Sequence, residues 1–307
     1  MTEGLLAGVR ILDFSIWRPG PYATQLLGEL GADICKIEPP GGDPMRAYPG
    51  LFAELNVNKR SIVLDLKTDE GVGRAHELAV DADVVIEGFR PGVADRLGIG
   101  ADELCALNPH LVYCSLSGMG QIGDLADASG HDLNYQAWAG ALAPEQGTPA
   151  IAAVPIADLA GGLAAAYAIC AAIVRQQRTG EGERIDVAMG DVLATWTGAN
   201  PPVARGVEPG ARGVPGYGLF AAADGYVTLG IITEDHFWTP LCDVLDMGDV
   251  RELTFLERMK DVPALRDRIA RVIASQPRDE IVRRLLAAGV PAASVLDRYE
   301  MVQLSHF

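Results

Sequence analysis

The chain has 307 residues, enough for one large domain or two intimate ones, and its 49% hydrophobic residues allow a sizeable core. A formal charge of −16, from 25 basic and 41 acidic residues, argues against a broad nucleic-acid surface and leaves any anionic ligand to a few cations gathered locally. Five scattered cysteines without a CxxC pair, and an N-terminus without a basic stretch before an apolar run, argue against a disulfide framework, a zinc site or a leader, so a cytoplasmic protein with reduced thiols is expected.

Residues 9–14 read as a buried strand, Arg18-Pro19-Gly20-Pro21 as a turn, 22–30 as a helix ending at Gly31, and 33–37 as a second strand. Strand 61–65 follows, then a helix capped by Thr68 with Asp69 and Glu70 at its positive end. Strands are expected at 83–87 and 111–116, with Cys35 and Cys114 as small buried hydrophobes inside their strands. Strands alternating with helical segments point to a parallel sheet with helices on both faces. The stretch 158–178 reads as one long helix stopped at Thr179-Gly180. Its uncharged run from Leu159 to Val174 is shorter than the ~20 residues a bilayer needs, so a buried helix and no membrane partner are expected. Strand 184–188 and helix 190–198 precede a Pro/Gly-rich linker at 199–218. Beyond it, strand 226–232, helix 235–245 and amphipathic helices near 263–274 and 278–288 build a smaller domain.

No GxGxxG follows the first strand, and prolines in its turn remove donors that a dinucleotide phosphate would use. No P-loop, HExxH or GxSxG motif is present. Cations on loops remain: Lys59 and Arg60 before strand 61–65, Lys67 after it, Arg90 in Gly88-Phe89-Arg90-Pro91-Gly92, and Arg96. Lys67 and Arg90 follow strand ends, where open parallel sheets bind ligands, and each could meet a phosphate; a solvated surface cation is the plain alternative for either. His131 sits beside Gly130, which lets a ligand or backbone come close, although a lone histidine is more often structural. Asp158 opens an apolar helix among small residues that leave room for a ligand; by itself it reads as a helix cap. Thr233-Glu234-Asp235-His236 lies between a strand and a helix, where Thr233 reads as a cap.

In order along the chain, these segments resemble the class III coenzyme A-transferase family, which includes 2-methylacyl-CoA racemases and formyl-CoA and carnitine-type transferases. The resemblance runs from Leu5 to about Val295. It is carried by Gly20-Pro21 with Leu30-Gly31-Ala32-Asp33, by Asn58-Lys59-Arg60-Ser61, by Leu64-Asp65-Leu66-Lys67, by Glu87-Gly88-Phe89-Arg90-Pro91-Gly92, by Ile156-Ala157-Asp158, and by Gly180-Glu181-Gly182 leading into Ile185-Asp186-Val187-Ala188-Met189.

The resemblance implies an α/β fold: a Rossmann-like, parallel-sheet large domain over 1–198 that binds coenzyme A, the linker 199–218, and a small α/β domain over 219–307. It implies an interlocked homodimer, and family members usually continue into a C-terminal segment that returns to the large domain, beyond where this sequence ends. Trp17, Arg18, Pro19, Leu64, Lys67, Arg90 and Arg96 would line the coenzyme A site, with Asp132 and Tyr135 beside them; some members have Arg where this chain has Pro39. Asp158 matches the family's catalytic aspartate. The stretch Gly130-His131-Asp132-Leu133-Asn134-Tyr135 is similar to the racemase branch, in which that histidine is a base and a glutamate, matched here by Glu234 with Asp235 competing, supports it.

The expectation is therefore an acyl-CoA enzyme without metal or redox cofactor, acting first as a 2-methylacyl-CoA racemase. His131 and Asp158 would exchange the α-proton from opposite faces, and backbone donors or a helix N-terminus near Asp158 would serve the enolate oxygen. The alternative is a CoA-transferase working through an aspartyl-CoA intermediate, and a third possibility is a CoA-binding homologue without turnover.

Overall fold

The computed structural model describes residues 4–142, 149–198 and 213–306. The chain divides into two compact units, Met1–Pro202 and Val203–Phe307. The first unit is built on six parallel strands: β1 (Arg10–Asp13), β2 (Asp33–Glu38), β3 (Arg60–Val63), β4 (Val84–Glu87), β5 (Val112–Ser117) and β6 (Glu183–Ala188). Their spatial order is β3-β2-β1-β4-β5-β6, so the winding reverses between β1 and β4. This is the doubly wound arrangement in which a crevice opens beyond the carboxyl ends of the two central strands.

Both faces of the sheet are covered, which is why β4 reads VVIE with every residue buried. On one face Ile11, Ile86, Cys114 and Leu116 pack with Leu27 and the helix Ile156–Thr179. On the other, Leu12, Val85 and Tyr113 pack with Ala75 and Ala79 of the helix Asp69–Val80 and with Leu104 of the helix Ala101–Leu107. Thr68 caps its helix by accepting from Gly71 N at 3.1 Å. The long helix ends at Gly180, whose φ of 73° is the left-handed conformation that glycine adopts freely. It is long and apolar enough to cross a bilayer, and half of its apolar window is buried inside the unit.

The expected turn at 18–21 is a helix start. Pro19 opens the helix Pro19–Glu29, since a first-turn N–H has no intrahelical partner and proline gives up nothing by lacking it. The short helices Pro49–Leu55, Ala101–Leu107 and Asp132–Trp138 are not among the elements expected from the sequence, since none is longer than 7 residues and none shows a sustained apolar period.

The second unit carries an antiparallel sheet of β7 (Tyr217–Ala221), β8 (Tyr226–Gly230) and β9 (Ala292–Ser294), in the order β7-β8-β9. Trp238, Leu241, Ile269, Ile273, Ile281 and Leu285, from the helices Asp235–Val244, Val262–Ala274 and Arg278–Ala287, cover it with Phe220, Val227 and Leu229. Of the expected linker, 199–212 lies outside the described residues, and Tyr217 already opens β7, ahead of the boundary expected at 219.

Candidate active site

Beyond the ends of β1 and β4 a cleft of about 700 Å³ is lined by Ile16, Trp17, Pro19, Phe89, Arg90, Ser117, His131, Tyr135, Asp158 and Met189, among others. A second cleft, about 430 Å³, lies past the ends of β1 to β4 and is lined by Pro39, Leu64, Lys67 and Leu97, among others. Ile16 and Phe89 line both, so the two form adjoining parts of one surface.

The loop after β1 is held from below by buried charge. Asp13 accepts from Ser15 N at 2.9 Å and from Thr24 Oγ1 at 2.6 Å. Lys36, in the middle of β2, donates to Ser15 O at 2.8 Å and pairs with Asp43 at 2.9 Å. Lys59 Nζ reaches Pro21 O, Thr24 Oγ1 and Asn56 Oδ1 at 2.7–3.0 Å and Asp13 Oδ2 at 3.4 Å. Burial alone would raise the Asp13 carboxyl, but Lys36 and Lys59, together with the hydrogen bonds from Ser15 and Thr24, outweigh it and hold it below the usual range. Burial pushes the Lys59 ammonium down to about 8, against the pull of Asp13. Lys59 is therefore a buried strut and not a phosphate contact, and Arg60 is engaged by Asp33 at 2.5 Å. On this frame Trp17 takes a left-handed backbone, φ 61°, a conformation that costs a bulky residue energy and recurs at ligand sites. Its ring meets the His131 imidazole edge-on at 6.4 Å between centroids.

Asp158 occupies the first turn of the helix Ile156–Thr179. Gly161 and Gly162, three and four positions on, share its face of the helix. A Cβ on Gly162 would come within 2.7 Å of Pro19 O, and one on Gly161 within 2.4 Å of Met189 Cγ. The small residues thus make room for neighbouring protein rather than for a ligand, and that close approach seats Asp158 beside the start of the helix Pro19–Glu29. Gly130 is likewise filled, by Asn134 and Tyr135.

Burial raises the Asp158 carboxyl to about 7; the charge of Asp132 adds to this and Arg18 opposes it. Asp158 is not the helix cap. That place is taken by Asp132, whose Oδ1 accepts from Ala157 N at 2.7 Å and Asp158 N at 3.1 Å, while Oδ2 accepts from Gln136 Nε2 at 2.5 Å. These contacts engage both Asp132 oxygens and give it a framework role at the start of the long helix. They also take two of the helix N-terminal donors expected to serve an enolate.

Tyr135 is buried at the cleft wall and donates to Gly130 O at 2.6 Å. His131 precedes the helix Asp132–Trp138, with its backbone N–H donating to Asn134 Oδ1 at 3.1 Å and its ring on the cleft. Arg90 Nη1 donates to Ser129 Oγ at 2.9 Å. Arg18 sits between two lining residues, and Leu64 and Lys67 fall in the second cleft. Arg96 is exposed and lines neither cleft, so it stands apart from the expected set. Glu234 belongs to the second unit, where its Oε2 accepts from Ile232 N at 2.8 Å. Neighbouring Asp235 pairs with the buried Arg258 at 2.6 Å.

Sequence reading missed Asp13, Lys36 and Glu87. Glu87 ends β4 buried, accepts from Phe89 N at 2.7 Å, and is raised by burial to about 7. The available signal was a charged residue inside an otherwise apolar strand, as in DICKI and VVIE, because such a group must be paired or neutral.

The profile of CoA-transferase family III matches residues 6–307. The succinate–glutarate CoA-transferase of Agrobacterium fabrum is 32% identical over 96% of this chain and 81% of its own length. The acetyl-CoA:oxalate CoA-transferase of Acetobacter aceti is 33% identical over 98% of this chain and 83% of its own. Among solved structures, Rv3272 from Mycobacterium tuberculosis superposes with a TM-score of 0.88 at 31% identity, covering 100% of this chain and 87% of its own.

Proposed function

We propose that this chain, which belongs to CoA-transferase family III, moves coenzyme A between carboxylic acids with Asp158 as the nucleophile. The observation that carries this reading is the state of Asp158: a partly buried carboxyl with no side-chain hydrogen bond among the described residues, in a cleft at the reversal of the sheet, with its proton affinity raised by burial. CoA-transferases act on CoA thioesters, and the related transferases named above are described for succinate, glutarate and oxalate. These names favour transfer over the racemase reading.

The nucleotide end of coenzyme A would lie in the second cleft beside Lys67. The pantetheine arm would pass Ile16 and Phe89 and bring the thioester to Asp158. The ionised Asp158 attacks the thioester carbonyl, and CoA leaves as the thiolate, giving an acyl-aspartyl anhydride. The thiolate then attacks the aspartyl carbonyl, which releases the first acid and leaves aspartyl-CoA. A second carboxylate reverses the sequence and departs as the new thioester. Every step needs the carboxylate and exclusion of water, and none needs an imidazole.

Incubation with a donor acyl-CoA followed by hydroxylamine is expected to convert the Asp158 side chain to a hydroxamate, detected by peptide mass. Asp158→Ala is expected to lower transfer by at least ~10³-fold; full activity in that variant ends the reading. Racemisation remains a second reading because the His131 ring lines the same cleft as Asp158. Its mark is uptake of deuterium at the acyl α-carbon that His131→Ala abolishes. The same family reading includes a homodimer, to be checked by light scattering.

A further inference from the structure

Asp132 and Asp158 each stand in the first turn of a helix, 26 positions apart, and a hydrogen bond joins them directly. An aspartate in the first turn of a long helix is ordinarily a weak base, because the unpaired N–H groups and the aligned peptide dipoles favour its charged form. Here that assistance is diverted. The N–H groups of Ala157 and of Asp158 itself point to Asp132 Oδ1, at 2.7 and 3.1 Å. The other Asp132 oxygen is fixed by Gln136, which is buried at 2% exposure, so the carboxylate cannot swing away. The Asp158 carboxyl is left with no hydrogen bond among the described residues.

We propose that Asp132 is a positioning residue for Asp158: it anchors the turn that carries Asp158, takes the backbone donors that would otherwise serve that carboxylate, and holds a like charge against it. The proposal rests on the reading of Asp158 as the reacting group. Its consequence is chemical. A carboxylate deprived of donors and crowded by a second negative charge is a stronger base, and therefore a better nucleophile toward a thioester carbonyl, than the same group served by a helix terminus. It is also free to turn toward the thioester, since no internal bond must break first. The direction of the Asp158 titration agrees, with burial first and Asp132 second among the causes that raise it. The other titratable groups facing Asp158 are Arg18 ahead of the helix Pro19–Glu29, Tyr135 on the helix of Asp132, and His131 and Arg90 on the cleft wall. Asp132 alone combines a like charge with a bond to the backbone of Asp158.

The test uses the full chain with ¹³C-labelled aspartate. The Asp158 carboxyl is assigned by its loss in Asp158→Asn and followed from pH 3 to 9. Asp132→Asn and Asp132→Ser both remove the charge while keeping an oxygen that accepts from helix N–H groups, so both are expected to fold. In each, the midpoint of Asp158 is expected to fall by about one pH unit, and the acid limb of kcat/KM for CoA transfer to move down with it. The plateau of kcat is expected to fall about tenfold, with KM for the acyl-CoA little changed. Asp132→Glu, which restores the charge, is expected to return the midpoint toward the wild-type position. An unmoved midpoint in both neutral variants, each shown to be folded by circular dichroism, overturns the proposal. The carboxyl titration needs no turnover, so it is separate from the reaction: full transfer in Asp158→Ala would remove the reading of the site while leaving the hold of Asp132 on Asp158 to be decided by its own measurement.

Discussion

At Asp158 the protein sets a carboxylate where its charge is least welcome, and that has a thermodynamic signature. The folded state holds the Asp158 proton up to about pH 7, whereas the unfolded chain releases it near 3.8. Between those values the folded form binds more protons than the unfolded form, so stability falls as pH rises through the window. Glu87, raised by burial to about 7 from 4.5, acts in the same direction. Asp158→Asn is therefore expected to be more stable than the parent by on the order of 2 kcal/mol above pH 7, with the difference vanishing below pH 4. Chemical denaturation across pH checks this, and equal stabilities at pH 8 would contradict the raised proton affinity. The variant should be more stable and inactive together, as expected of a residue held for chemistry rather than for the fold. Local sequence offered only the wrong half of this picture. An aspartate before an apolar helix looks like a cap, because capping is set by neighbours in the chain; that the cap comes instead from Asp132 is a fact of tertiary packing.

Among the elements, the helix Ile156–Thr179 decides where Asp158 sits, and it does so by being narrow. Gly162 lets it come within contact of Pro19 O and the Tyr22 ring, and Gly161 admits Met189 and Leu116. Gly162→Val would force the two helices apart at the level of Asp158. It is expected to lower stability by about 1–3 kcal/mol and kcat/KM by more than that loss of folded protein explains. Urea unfolding and transfer kinetics on the same preparation separate the two effects; wild-type kinetics in a folded variant would show that the approach is not what places Asp158. The long helix was plain in the sequence, as were the Thr68 cap and the six large-unit strands; the central β4, buried on both faces, writes itself as an apolar run, whereas the edge strands β3 and β6 are largely exposed and were marked by their place in the strand–helix alternation. The helix Asp132–Trp138 was not, because 7 residues give too little pattern, and with it went the means of recognising what Asp132 does.

For the whole molecule, a net charge of −16 opposes any polyanionic ligand, so under the proposed reading the cleft cations Lys67 and Arg90 would act against that field at short range. Long-range repulsion is screened over about 10 Å at 0.1 M salt, while contacts inside a cleft are screened less. Coenzyme A is accordingly expected to associate faster as ionic strength rises from about 10 to 150 mM, the reverse of a basic phosphate-binding protein. Lys67→Gln is expected to raise the Kd for coenzyme A about tenfold, and stopped-flow binding measures both. A steadily falling rate with salt would mean that the cations, not the net charge, dominate the approach.

The doubly wound fold class, most element positions and the chemical family are legible in the residues alone. Each depends on signals that are local or that recur in order along the chain: apolar periods, turn residues, and short motifs. Which charges are struts and which face the cleft is set by contacts between distant segments. Lys59 and Lys67 lie on either side of one strand and look alike in the sequence, yet Lys59 is buried against Asp13 and Lys67 lines the second cleft. The same holds for the two aspartates: whether a carboxylate caps a helix or is denied the helix's donors depends on a partner 26 positions away, and no local pattern carries that distance.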